Sequence, residues 1–288
     1  MMMEGFITAF KAELYVSLRN LGSKIVVLAP SVIVVAGFVL TRLTQAGEEA
    51  RESLLGGGNF ADQLAANNAY GHLVDGLGTG LILLGFILVT VAAHSLAYDR
   101  DTGLIRHLLI RRISRPALLL AKLAHLHLLA LISLVLLFVV SVAAAGMFWE
   151  YGPIVEDGFE LIGSEEMRNE IRLGLILALL PLPATLAFGL LISVLSTSAT
   201  QAVTSALGAT LALDIFKPLL GDAVNYLYVA FQPSLVDQSY LNEVSRIVRG
   251  YSDVLIDERT LQLNYWVPLP EMVVLVVLAL AVIAKRKM

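Results

Sequence analysis

Ala117-Leu-Leu-Leu-Ala-Lys-Leu-Ala-His-Leu-His-Leu-Leu-Ala-Leu-Ile-Ser-Leu-Val-Leu-Leu-Phe-Val-Val-Ser-Val-Ala-Ala-Ala-Gly-Met-Phe148 carries a single formal charge, Lys122. A helix rises about 1.5 Å per residue, so about 20 apolar residues cover the hydrocarbon core of a bilayer. This run is longer than a crossing needs. It predicts a tilted span, or one whose first turns project from the membrane. Five further apolar runs, at about 23–41, 77–97, 173–195, 201–220 and 267–284, are near the length of a crossing. The predicted fold class is therefore all-α integral membrane, one transmembrane domain over 1–288 with six spans.

The composition agrees. Of 288 residues, 57% are hydrophobic and 15% charged, and the mean hydropathy is +0.78. Soluble domains average about 45–50% apolar and about 25% charged. A cytosolic enzyme, a nucleic-acid-binding protein and a disordered chain are all excluded. The chain has no cysteine, which removes disulfides, cysteine-bound zinc, iron–sulfur clusters and thiol catalysis. Met1-Met2-Met3-Glu4 lacks the basic region of a cleaved signal peptide, so the first span is the expected targeting signal.

Orientation follows from the basic residues. With the N-terminus inside, the inner segments hold twelve Lys and Arg against four Asp and Glu, and the outer side holds eight against twenty. Both termini are expected in the cytoplasm, in the inner cell membrane. Ahead of span one, Phe6, Phe10, Leu14, Leu18 and Leu21 recur on one helical face. Residues 4–21 read as a helix lying in the inner membrane interface, or as a surface helix packed on the protein. The outer loops are 42–76, 149–172 and 221–266. Within the last, Asn225-Tyr-Leu-Tyr-Val-Ala-Phe231 suits a short re-entrant hairpin, Tyr being at home in the interface. The acidic outer loops read first as solvated surface, and second as a place to dock a basic partner.

The inner loop Tyr98–Lys122 carries the functional signal. It opens with Asp99, Asp101 and Gly103, continues with Leu104, Ile105, Leu108 and Leu109 on a narrow apolar face, and re-enters the membrane through Ser114-Arg115-Pro116. Proline in a first helical turn loses nothing, because its missing N–H has no partner there. These residues predict a short amphipathic helix over about 99–115, held under the membrane between two spans, where it can transmit motion between a cytosolic partner and the bundle; the plainer reading is a basic inner loop that only sets topology.

These residues resemble the ABC-2 type permeases, the membrane subunits of type V ABC exporters. That family carries acid-x-acid-x-Gly-Thr after span two, then Leu-Leu, then Pro-(Val/Ile)-Ser-Arg and a later Lys. Asp99, Asp101, Gly103, Leu108, Leu109, Ile113, Ser114, Arg115 and Lys122 match it. Asp stands twice for the commoner Glu, Leu104 for Thr and Arg112 for Pro. The resemblance extends to the branch that matures periplasmic multicopper and nitrous oxide reductases. It implies that Asp99, Asp101, Gly103, Leu104, Leu108, Leu109, Arg111, Ser114 and Arg115 couple to a cytosolic ATPase. The ATPase groove would accept Thr102–Arg111. Two ATPases and two permease subunits, the second a copy of this chain, would make the working unit. ATP and Mg²⁺ would sit on the ATPase, and this chain would bind no cofactor. In agreement, the chain has no G-x-x-x-x-G-K-[ST] phosphate loop. Six helices are also few for enclosing a substrate path.

Other residues were weighed against plainer readings. Asp214 and Lys217 share a helix face. They read as a structural pair near the outer interface, or as polar contacts in a translocation path. His94, His125 and His127 fit hydrogen bonding between helices better than a metal site. Pro181 and Pro183 kink span four, for gating or for packing. Two rival functions remain. One is an intramembrane hydrolase, which needs polar groups converging at one depth. The other is a mechanical subunit acting on an outer accessory protein without transport.

Overall fold

A computed structural model describes residues 2–55, 68–105, 113–156, 159–216, 219–227 and 258–285. The helices are α1 (Met2–Arg19), α2 (Leu21–Leu55), α3 (Ala69–Asp101), α4 (Arg115–Phe148), α5 (Ser164–Leu179), α6 (Leu182–Leu195), α7 (Ala199–Phe216), α8 (Glu258–Trp266) and α9 (Pro268–Lys285). A hairpin, β1 (Ile154–Glu156) and β2 (Phe159–Ile162), precedes α5, and a 3₁₀ turn spans Gly221–Tyr226. Six helical segments are long and apolar enough to cross a membrane: α2, α3, α4, α5 with α6, α7 and α9. The all-α integral membrane fold is the one expected.

Several helices run beyond the expected spans, because hydropathy marks where lipid ends rather than where a helix ends. Much of the expected loop 42–76 is helical: α2 continues to Leu55 and α3 begins at Ala69. A polar and aromatic cluster at this end of the bundle joins the two extensions. Trp149 Nε1 donates to Gln45 Oε1 at 2.9 Å, and the His72 ring stacks on Trp149 at 3.8 Å. Asn68 caps α3 by accepting the Tyr70 N–H. In the same way α5 begins at Ser164, inside the expected loop 149–172, and α8 lies inside 221–266. In span five the described helix is Ala199–Phe216, and 217–218 lie outside the described residues. Of the expected hairpin Asn225–Phe231, Asn225 and Tyr226 close the 3₁₀ turn, and 228–231 lie outside the described residues.

Helix α3 is the hub, packing on α2, α4, α6 and α7. Its contact with α6 is very close. A Cβ on Gly189 would lie 2.7 Å from Ala92 Cβ and 2.8 Å from the Val89 carbonyl oxygen, so only glycine permits this approach. Alanines 202 and 206 of α7 seat against Val89, Ala93 and Ala97 of α3. By contrast α2 exposes Ile25, Leu28, Val32 and Leu40, as a lipid-facing surface does.

The prolines break span four between α5 and α6. Pro181 has no N–H to give to the carbonyl four residues back. The Leu177 carbonyl accepts instead from Asn264 Nδ2 at 3.0 Å, and Asn264 is buried. The kink therefore anchors α8 to α5, which favours its packing role.

Helix α1 packs on α4, but not through the expected face. Its buried positions are Gly5, Ala9 and Ser17, with Glu13 half-buried between them. This spacing of four is a ridge of small residues that lets two backbones approach. Phe6 and Phe10 flank it, and Leu18 and Leu21 are exposed. The amphipathic pattern marks the side away from α4 at least as much as the side toward it.

Candidate functional site

Lys122 lies about two turns inside α4, with 2% of its surface exposed. A buried ammonium needs counter-charges, and two carboxylates supply them. Lys122 Nζ is 2.7 Å from Glu13 Oε1 of α1 and 2.6 Å from Asp99 Oδ2 of α3. Three elements are pinned at one point.

The next two residues of α3 reach other helices. Arg100 Nη2 donates to the backbone oxygens of Ser193 and Ser196, at the C-terminal end of α6. Asp101 Oδ2 accepts the Ala199 N–H at 2.6 Å, at the first turn of α7. Helix C-termini carry partial negative charge and N-termini partial positive charge. Arg100 and Asp101 thus meet the two ends of the α6–α7 turn with the matching sign. Ser198 and Gln201 complete the α7 cap, Gln201 Oε1 accepting the Thr197 N–H at 2.8 Å. Ser193 Oγ in turn accepts from the Leu96 and Ala97 backbone.

Beyond Asp101 the chain does not continue as one helix. Gly103 has φ 73°, a left-handed conformation that ends helices and suits glycine. Residues 104 and 105 are helical again, with Ile105 buried and Leu104 half exposed. The expected helix over 99–115 is corrected at both ends: 99–101 are the last turn of α3, and Arg115 opens α4. Leu108, Leu109 and Arg111 lie outside the described residues. The chain re-emerges at buried Ile113. Ser114 then caps α4 by accepting the Ala117 N–H, with Pro116 in the first turn as expected. Arg115 Nη1 reaches the Ile283 carbonyl at the C-terminal end of α9.

The segment 102–114 is therefore flanked by residues tied to the ends of α6, α7 and α9, to α4 at Lys122, and through Lys122 to α1. Sequence reasoning singled out Asp99, Asp101 and Arg115 but missed Glu13, Arg100, Ser193 and Ser196. Lys122, the only charge in a long apolar run, was the available signal that acids must lie nearby.

The remaining candidates do not join this junction. Asp214 is half-buried near the far end of α7, fifteen residues or about 22 Å from Ala199. Lys217 lies outside the described residues. His94 and His125 are on the junction side, so the convergence a hydrolase needs does not form among the described residues. The histidines also depart from the expected inter-helix bonding. His127 Nδ1 pairs with the Leu123 carbonyl of its own helix, and His94 stacks on Tyr98 of its own helix.

One prediction follows at this site. Asp101→Ala removes a charged cap and is expected to cost about 1 kcal/mol. Hydrogen exchange would read it as faster exchange of the first turn of α7. Unchanged protection there would contradict the capping role.

A bundle of six helices long and apolar enough to cross a membrane, with charged side chains tying helix ends around one short connection, defines a multi-pass membrane protein. Residues 7–285 match the family described as "ABC-2 family transporter protein". The chain belongs to that family, and it is a permease component of an ABC transporter rather than an enzyme itself. No curated protein matches the chain. No solved structure matches it either.

Proposed function

We propose that this chain is the membrane subunit of an ATP-driven exporter in the cytoplasmic membrane. Both termini face the cytoplasm, and α1 lies along the inner interface. Two copies work with two copies of a cytosolic ATPase, which holds the ATP and Mg²⁺ and grips the segment Thr102–Arg111. The observation that carries this reading is Asp99-Arg100-Asp101. Three consecutive residues at the mouth of the segment hold α3 to α4, α6 and α7, and Lys122 extends the link to α1. A load applied there reaches every helix end to which these side chains are bonded. Asp99, Asp101 and Arg115 act as the fixed anchors. Gly103 is the pivot, Ser114 the cap where the chain re-enters, and Leu104, Leu108, Leu109 and Arg111 the docking surface. The exposed apolar faces of α7 and α9, including Leu211, Ile215, Val273 and Val277, suit a second copy. Asp214 and Lys217 serve as a structural pair at the outer interface.

The test is Leu108→Glu in the complete transporter. A charge in an apolar docking surface is expected to weaken ATPase co-purification about tenfold, equal to about 1.4 kcal/mol, and to abolish ATP-driven transport. Wild-type ATPase recruitment and transport in this variant would refute the docking assignment.

A further inference from the structure

At the opposite end of the bundle from the junction, α3, α4 and α5 enclose an open groove of about 520 Å³. This is within the range of small-molecule sites, about 300–1,000 Å³. Phe138, Leu175, Ile176 and Leu179 make its floor and walls, and Arg168 and Arg172 stand at its rim. The arginines are four residues apart on α5, so both point the same way. Among the described residues neither arginine forms an ion pair. Glu165 lies one turn beyond Arg168 on the same side, and Glu166 and Glu170 project from the other side of the helix. Tyr151 donates its hydroxyl to the Val142 carbonyl at 2.9 Å, which fixes its ring in the wall. Burial pushes its phenol up to about 12, so it adds no charge.

The polarity of this groove runs along the axis of α5. From Arg172 to Leu179 is seven residues, or about 10 Å, a distance within one leaflet of a core about 30 Å thick. The cations stand toward the Ser164 end of α5, ahead of the apolar run 173–195, and the apolar side chains of α5 lie within that run. Phe138 and Ile176 remain substantially exposed, so the groove opens sideways toward lipid. A two-fold contact with a second copy through this face would bring the arginines toward their own copies.

We propose that this groove binds an anionic glycerophospholipid of the leaflet facing away from the chain ends. One acyl chain lies between α4 and α5, and the phosphate sits on Arg168 and Arg172. Basic pockets between membrane helices bind anionic headgroups on the cytoplasmic side; here the same chemistry is placed in the other leaflet, where Arg matches phosphate in a bidentate fashion. The proposal does not depend on the ATPase reading.

The experiment uses the full chain in nanodiscs with photoactivatable phosphatidylglycerol or phosphatidylcholine, each with a diazirine on the acyl chain. Phosphatidylglycerol is expected to label Phe138, Leu175 and Leu179. The pair Arg168→Gln and Arg172→Gln should reduce that labelling about tenfold without altering thermal stability. Phe138→Trp, which fills the groove, should reduce it while leaving both arginines in place. Equal labelling by the two lipids, or labelling indifferent to the arginines, would overturn the proposal in favour of ordinary surrounding lipid. The chain has no native cysteine, so Leu175→Cys gives a clean second test. A disulfide-linked dimer through that position would overturn the proposal in favour of a second copy.

Discussion

Lys122→Ala is expected to lower stability by about 3–5 kcal/mol, the cost of removing one partner from a buried ion pair. Two effects add. The deletion leaves Asp99 buried without its cation, and it places the Asp99 and Glu13 carboxylates near each other with no charge between them. The thermal midpoint in detergent should fall on the order of 10 °C. The second-site combination Glu13→Gln with Asp99→Asn should restore part of the loss, because it removes the stranded charges. Lys122→Met should behave like Lys122→Ala, since the missing quantity is charge rather than volume. A wild-type midpoint for Lys122→Ala would show that the triad contributes nothing to holding α1, α3 and α4 together.

Arg100→Ala is expected to cost about 2–3 kcal/mol, the range for charge-assisted hydrogen bonds. It should also impair transport beyond what lost stability explains. The guanidinium holds two backbone oxygens at the end of α6. Inside a membrane protein such oxygens have few alternative donors. Without it, the α6–α7 turn is held to α3 mainly by Asp101 and Ser193. On the proposed mechanism, ATPase binding should survive while ATP-driven transport falls about tenfold or more. Arg100→Lys keeps the charge but loses the forked geometry, so it should recover stability more than transport. If Arg100→Ala transports normally at a temperature where it is folded, the α3–α6 link is not part of the coupling route.

Which parts of this site were legible in the sequence depends on the range of the interaction. Ser114 and Pro116 act on their own helix, within three residues, and the re-entry Ser114-Arg115-Pro116, with proline at a first-turn position, is legible locally. Gly103 was visible as a motif position, but not as the break that divides the expected helix over 99–115 into separate pieces. Arg100 was passed over as one more inner-face cation, because nothing local distinguishes a solvated arginine from one that caps a distant helix. Nothing local in the sequence distinguishes Glu13 from a solvated acid of α1. Its partner is 109 residues away, and only the packing of Gly5, Ala9 and Ser17 against α4 brings the two together.

The sequence by itself determined that the chain is a six-span helical membrane protein with a distinctive inner connection. Both properties are written in contiguous runs: apolar length sets the spans, and a local string of acids, glycine and leucines marks the connection. Only the tertiary structure decided which helix ends that connection commands and where an arginine-rimmed groove opens. Those depend on which backbones approach closely, as at Gly189 against Val89, and on where carbonyls such as Leu177 and Ser196 are left needing a donor. Pairing between distant segments is fixed by shape and unmet hydrogen bonds, and neither quantity exists until the helices are side by side.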